Sequence, residues 1–482
     1  MALFLYDTAS RKKAPFTPIL PGRAGIYSCG PTVYRYAHIG NLRTYLLTDL
    51  LVRTLRYSGI STFSVQNITD MGHMHQEALD EVQDKVIAAA RASGKTGREI
   101  ARFFTEAFFR DCRRMNFLPA DVYPRASEHV PEMIGIVREV ERRGAVYGEG
   151  GYRYFDVSRA QGYGEFSGAR RGESQAAART DATVHRHKKR PEDFTLWLPA
   201  APDREFRWDS PWGTGWPGWH VECAAMAIKY LGPEFDVHVG GIDLRFPHHE
   251  NSRAMAMTAT GGRFALFWMH AAHLLVEGRK MSKSLSNEWT LSDLDARGIS
   301  PMDFRYYCLM LHYRTPMNFT WEGQAAAARA FSRLKGIIAG SATAGGSAPE
   351  AAAEARGRFR AAVEDDLNFP RAIAVLRDAA HSGLPGATLR ELAGEWDAVL
   401  GLGLLEAGAA EDAGGDAGGA AGEAPVPPEV AVLADRRETA RKAGNYPEAD
   451  ALRAKIRDAG YEVVDRKGGP PGLKKLHAGI SR

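Results

Sequence analysis

Cysteine is scarce in this chain: four thiols, Cys29, Cys112, Cys223 and Cys308, occur in 482 residues. That is far too few for a disulfide framework and fits a reducing compartment. A dominant charge is lacking as well. With 62 Lys and Arg against 58 Asp and Glu, the net charge is +4, so any surface for a polyanion must come from local patches such as Arg186-His187-Lys188-Lys189-Arg190. Long hydrophobic runs are missing too, which leaves no segment that resembles a membrane span or a signal peptide. The stretch from Met1 to Tyr6 is apolar but short, is followed by Arg11-Lys12-Lys13, and reads as a strand. The cytoplasm is the expected compartment and no membrane partner is expected. A length of 482 residues exceeds what one core usually serves, and 44% apolar content permits ordinary burial, so several domains are expected.

Two short segments carry most of the chemistry. His38-Ile39-Gly40-Asn41 follows a strand and turn spanning Ile26 to Tyr34, with Gly30-Pro31 at the bend. A His and a polar residue opening a helix can meet a nucleotide where unpaired N–H groups and the helix dipole favour anionic oxygens. Lys280-Met281-Ser282-Lys283-Ser284 lies far downstream, between Gly278 and Asn287. Two lysines in such a loop can close over the same triphosphate and neutralise charge on the departing pyrophosphate, Lys283 foremost. Taken alone, the four-residue segment is a weak signal, because a His at a helix start is usually a residue with a satisfied local partner.

In that order, the pair resembles the two signature motifs of class I aminoacyl-tRNA synthetases, a family that usually has His rather than Asn at the fourth position of the first motif. The resemblance implies ATP, with its Mg²⁺, bound by His38, Gly40, Asn41, Lys280, Ser282, Lys283 and Ser284. His38, Asn41, Lys280 and Lys283 would be the catalytic members of that set.

Three further places can converge. Cys29 ends the first long strand, Cys223 closes Gly218-Trp219-His220-Val221-Glu222-Cys223, and His248 lies in Phe246-Pro247-His248-His249-Glu250-Asn251. In a doubly wound sheet the carboxyl ends of strands meet at the ligand crevice. Two thiolates and an imidazole there suit Zn²⁺. The spacings are long and irregular, unlike a compact CxxC pair, so spacing alone does not single out a metal.

These three segments resemble the zinc-binding segments of cysteinyl-tRNA synthetases, and the likeness runs over almost the whole chain. It implies one Zn²⁺ on Cys29, Cys223 and His248, and L-cysteine bound by Cys29, Thr69, Trp219, His238 and Asp243. The bland alternative for Trp219 is a core aromatic. One departure stands out. The family has a Glu one helical turn beyond the ligand His, where this chain has Ser252, a poor zinc ligand. A three-ligand site with the substrate thiolate at the fourth corner is one account. Glu250, two residues from His248, would point to another side of a helix. Lacking the Glu also resembles mycothiol ligases, which pass cysteine to a small amine instead of RNA.

The resemblance implies an α/β fold: a Rossmann-like doubly wound parallel sheet over residues 1–314, with an inserted α+β subdomain at about 120–209. A helical bundle of the synthetase type is expected at 315–406, a flexible Ala/Gly/Glu/Pro linker at 407–428, and a small C-terminal anticodon-binding domain at 429–482. In the last domain Val430, Leu433, Leu452 and Ile456 suggest a helical hairpin around Gly444-Asn445-Tyr446-Pro447, ending in a strand Tyr461-Glu462-Val463-Val464. Arg436, Arg437, Arg441 and Lys442 would give it a basic face. No tryptophan stands in Gly468 to Arg482, where the family's tail has one. His185 and His187 sit among basic residues and read as solvated. The expected activity is ATP-dependent activation of L-cysteine and its transfer to the 3' end of tRNA-Cys by a monomer. The alternative is a cysteine ligase of the mycothiol type.

Overall fold

The structure, a computed structural model, describes all residues except 1, 72–93, 169–187, 282–284, 286, 342–346, 407–436, 438–439, 441–444, 459–460, 465–471 and 476–482. Two compact units result, Met1–Gly408 and Ala409–Arg482.

The strands Arg23–Ser28, Glu234–Gly241 and Phe264–Ala271 are buried along most of their length, polar residues such as Asp236 and His238 included. Such strands belong in a parallel sheet covered on both faces. With Ser61–Gln66 they form one, in the order Phe264–Ala271, Glu234–Gly241, Arg23–Ser28, Ser61–Gln66, every pair parallel. Parallel bridges from Val65 to Val122 and from Ile68 to Arg125 extend it past Ser61–Gln66. The strand order therefore reverses between Arg23–Ser28 and Glu234–Gly241, which is where a doubly wound sheet opens its ligand crevice. In register there, Tyr27 faces His238 and Ser28 faces Val239.

One face of the sheet packs Ile26, Val237 and Val239 against Leu42, Leu46 and Leu50 of the helix Ile39–Tyr57. The other packs Tyr27, Phe235 and Trp268 against the helices Trp219–Leu231 and Glu250–Thr260. An antiparallel sheet of Val146–Tyr147, Arg153–Phe155, Phe194–Pro199 and Gly215–Pro217 lies within the region between the two halves.

The helical region begins later than the sequence suggests. Met317–Phe319 is a strand, parallel to Leu274–Val276, and helix starts only at Trp321. Three residues paired to a neighbouring strand outweigh a helical pattern that continues beyond them. Trp321–Gly340, Pro349–Val363, Phe369–His381 and Gly386–Leu400 then form the bundle, with Phe359 stacked on Trp396 at 4.8 Å. A buried ionic node fastens the helix Ile39–Tyr57 to its neighbours. Asp49 accepts from Arg53 at 3.0 Å and from Arg305 at 2.6 Å. The two guanidiniums also donate to the carbonyls of Ala398 and Leu400 at the end of the bundle.

In the second unit the described elements are the helix Tyr446–Asp458 and an antiparallel pair, Tyr461–Val464 with Gly472–Lys475. Tyr446 and Pro447 open the helix rather than form its turn, as suits a proline whose missing N–H has no partner to lose in a first turn. The strand Gly472–Lys475 is not apparent from the sequence. Arg437 is buried, so it does not belong to an outer basic face. Val430, Leu433, Arg436, Arg441, Lys442 and the 407–428 segment lie outside the described residues.

Candidate active site and metal centre

His38 is the N-cap of the helix that follows the first sheet strand. Its Nδ1 accepts from the Asn41 N–H at 3.2 Å, and the Asn41 Oδ1 accepts from the His38 N–H at 3.3 Å. The unusual Asn thus completes a reciprocal capping box, leaving His38 Nε2 and the Asn41 amide NH₂ for other partners. Burial, helped by the nearby Arg35 charge, lowers the His38 pKa to about 4. The imidazole is therefore neutral at pH 7 and offers a hydrogen bond rather than a full positive charge.

The second motif reaches the first. Lys280 ends the strand Arg279–Lys280, is exposed, and receives Asn287 Nδ2 on its carbonyl at 3.3 Å. Met281 lies over Gly40 so closely that a Cβ on Gly40 would come within 2.3 Å of its Cε. Beyond the motif, Ile39 N donates to Trp289 O at 2.8 Å and Arg35 donates to Glu288 at 2.6 Å. Ser282, Lys283 and Ser284 lie outside the described residues.

Across the crevice, the carboxyl end of Arg23–Ser28 delivers Cys29, the helix Trp219–Leu231 delivers Cys223, and the turn Arg245–His249 delivers His248. All three are buried. Cys29 Sγ lies 4.0 Å from Cys223 Sγ, and His248 Nε2 lies 3.4 Å from Cys223 Sγ. Two more imidazoles join them: His249 Nε2 at 3.2 Å and His238 Nε2 at 3.6 Å from Cys29 Sγ. Cys29, His248 and His249 have ligand atoms all within 4.8 Å of one another. The Cys29 thiol, donating towards Cys223, pulls the Cys223 pKa well below its ordinary value, and the His248 ring adds to this. The same shared hydrogen bond, with burial, holds Cys29 well above. Burial keeps His238 and His249 neutral, and holds His270 at about 3. Soft sulfurs and neutral imidazoles suit zinc and do not suit the hard cations that need oxygen.

The remaining expected contacts surround this cluster. Trp219, half-buried, stacks on His248 with centroids 4.3 Å apart. Buried Thr69 donates to Glu222 at 3.1 Å. His238 is fully buried, stacked on Trp268, and its Nδ1 has no hydrogen-bond partner among the described residues. Asp243 sits at the exposed rim of the turn Ile242–Leu244, just beyond Gly240-Gly241. Ser252 is buried one turn past His248, its hydroxyl donating to the His220 carbonyl at 3.1 Å. Both carboxylate oxygens of Glu250 are occupied by the N–H groups of Gly164 and Ser167, at 3.0 and 2.8 Å. Glu250 thus fastens the inserted region.

Sequence reasoning missed His249, and with it His270 and Thr8: His249 Nδ1 meets His270 Nε2 at 2.8 Å, and His270 Nδ1 meets Thr8 Oγ1 at 2.9 Å. The signal for it was the doublet His248-His249 itself. Adjacent residues of a helix point to different faces, and here the two rings divide the thiol pair between them, His248 at Cys223 and His249 at Cys29.

A model of the class I (C) tRNA synthetase catalytic domain matches residues 15–329. "Cysteine--tRNA ligase 1" of Burkholderia lata is 42% identical over 469 residues, covering 96% of this chain and 95% of its own. A cysteine–tRNA ligase of Thermus thermophilus is 42% identical over 488 residues, covering 98% and 99%. The fold also resembles Mycobacterium tuberculosis methionyl-tRNA synthetase in complex with methionyl-adenylate, with a TM-score of 0.55 at 14% identity over 78% of this chain and 88% of that one. Among the described residues no helix is long and apolar enough to cross a membrane. On the catalytic-domain match and on relatives that align along nearly its full length, this chain belongs to the cysteine–tRNA ligase family of class I tRNA synthetases.

Proposed function

We propose that this chain activates L-cysteine with ATP and passes it to the 3' end of tRNA-Cys, acting as a monomer in the cytoplasm. The observation that carries the reading is that the two signature motifs touch each other at the sheet's switch point while a buried thiol and imidazole cluster stands at the strand ends of the same crevice. The cysteine–tRNA ligases named above align with this chain over 95% and 99% of their own length. No comparable observation favours transfer to a small amine.

In the first step the cysteine carboxylate attacks the α-phosphorus of Mg-ATP, forming the acyl–phosphate bond as the bond to pyrophosphate breaks. The chain's work is positioning and charge stabilisation. Neutral His38 donates from Nε2 to a phosphate oxygen, and Asn41 adds an amide donor. Gly40 admits the nucleotide, and Ser282 and Ser284 contribute hydroxyls beside the lysines. Lys280 and Lys283 neutralise the leaving pyrophosphate. In the second step a ribose hydroxyl of the terminal adenosine attacks the adenylate carbonyl and AMP leaves. Cys29, Cys223 and His248 are the residues that would hold zinc, which supplies a soft Lewis acid for a thiolate and no equal gain for the hydroxyl of serine. Thr69, Trp219, His238 and Asp243 orient the amino acid beside Cys29. The unit Ala409–Arg482 serves the anticodon end of the RNA.

Purified protein, ATP, labelled cysteine and total tRNA test the reading. Label in a base-labile, ribonuclease-sensitive product is expected. Cysteine-dependent pyrophosphate release without any charged tRNA would overturn the acceptor.

A further inference from the structure

Five buried imidazoles crowd the thiol pair, more than one ligand His needs. His220, His238, His248, His249 and His270 are all almost fully buried. Ser252 is turned towards a backbone carbonyl and Glu250 is saturated by two amides, so among the residues following His248 in its helix the nearest oxygen side chains are already occupied. We propose that His249 is the fourth protein ligand of the metal in this chain, together with Cys29, Cys223 and His248, and that His270 and Thr8 hold its ring for that role. The proposal rests on the zinc reading above.

Three observations carry it. The first is distance. Around a tetrahedral zinc, sulfur–sulfur edges are about 3.8 Å and sulfur–nitrogen edges about 3.6 Å, from metal–ligand bonds of about 2.3 and 2.0–2.1 Å. The ligand atoms of Cys29, His248 and His249 lie within 4.8 Å of one another, with 3.2 Å from Cys29 to His249 Nε2, and Cys223 joins them through Cys29 at 4.0 Å and His248 Nε2 at 3.4 Å rather than through His249. The second is the other side of each ring. A ligating His almost always has its second nitrogen held by a neighbour, which fixes tautomer and orientation. His249 has this: Nδ1 meets His270, and His270 meets Thr8. His248 has it through His220 Nδ1, at 3.2 Å. The third observation decides against the competing ring. His238 Nε2 is also near Cys29, at 3.6 Å, but its Nδ1 is buried with no hydrogen-bond partner among the described residues. His238 therefore lacks the support that a ligand needs and is left for the amino acid.

Two thiolates with two neutral imidazoles make an uncharged shell, which suits a pocket with no carboxylate turned onto the metal. Zinc has no d-electron preference for geometry, so such a shell can still accept a fifth donor, as the substrate sulfur requires.

X-ray absorption on the zinc-loaded wild-type protein, free of substrate, is the first test. Two sulfurs and two imidazole nitrogens per zinc are expected, and a single imidazole would overturn the assignment. Competition for zinc against a chromophoric chelator is the second. His249→Ala should lose at least tenfold in zinc affinity, His270→Leu roughly tenfold as the loss of a ring-holding partner, and Ser252→Ala less than twofold. Melting curves of the chelated proteins separate metal loss from misfolding. If His249→Ala binds zinc as tightly as wild type while Cys223→Ala does not, this inference fails and the zinc reading stands. If wild type itself binds no stoichiometric zinc, both fail.

Discussion

Gly40→Ala isolates the contact between the two signature motifs. An ideal Cβ at this position falls 2.3 Å from Met281 Cε and 3.1 Å from His38 Nδ1. Ordinary carbon contacts lie at about 3.5–4.0 Å, so the Met281 methyl must retreat by more than ~1 Å from the seam between the two motifs. A misplacement of about 1 Å in catalytic geometry costs on the order of 10²-fold, close to ~2.7 kcal/mol. Stability should move the other way or not at all, because alanine exceeds glycine in a helix by up to ~1 kcal/mol and the obstructing atom ends a flexible side chain. The assay is cysteine-dependent ATP–pyrophosphate exchange, with melting temperature and zinc content measured alongside. A drop on the order of 10²-fold in exchange is expected, with an unchanged melt and full zinc. Adding Met281→Ala to Gly40→Ala removes the obstruction and should recover at least tenfold of the loss. Exchange within threefold of wild type for the single variant would refute the reasoning, and a failure of the second change to rescue would mean that the new methyl acts on the nucleotide rather than on the loop.

Arg35 and Glu288 join the same two segments through side chains that are 33% and 21% exposed. Solvent limits such a pair to at most ~1 kcal/mol, so Arg35→Ala and Glu288→Ala should each lower the exchange kcat/KM by no more than about fivefold without lowering the melt. The exchanged pair Arg35→Glu with Glu288→Arg should recover most of that loss, and two independent, additive losses would deny the coupling. Asp49→Ala strands the buried guanidiniums of Arg53 and Arg305. A loss of about 3–5 kcal/mol is expected in urea unfolding, smaller when Arg305→Met is added, with exchange activity retained at low temperature. A loss below about 0.5 kcal/mol would show that the node contributes little net stability.

Much of the fold was legible because its signals are local. The parallel sheet follows from strands such as Phe235-Asp236-Val237-His238-Val239, whose alternation and trailing Gly240-Gly241 mark a strand ending at a crevice. The strand Met317–Phe319 was not legible, since three residues carry no period and only their pairing with Leu274–Val276 defines them. Gly472–Lys475 escaped for the same reason: a strand in a two-stranded hairpin is set by its partner more than by its own residues.

The candidate site divides along the same line. Cys29, Cys223 and His248 were legible through a resemblance that names positions, and the structure brings the three together. What a resemblance cannot supply is the consequence of a departure from it. Asn41 stands where the family usually has His, and its side chain closes a capping box with His38 and so fixes the ring. Ser252 stands where the family has a ligand, and it donates to the His220 carbonyl instead, while the ring nearest Cys29 is that of His249, held from a residue 21 positions away and through it by Thr8. Contacts that join Thr8, His249 and His270 cross three separate strand or helix ends, and no window of sequence contains them. Where a family position is vacated, the replacement is therefore to be sought among residues whose far ring atoms are already held, and in this pocket that criterion separates His249 from His238.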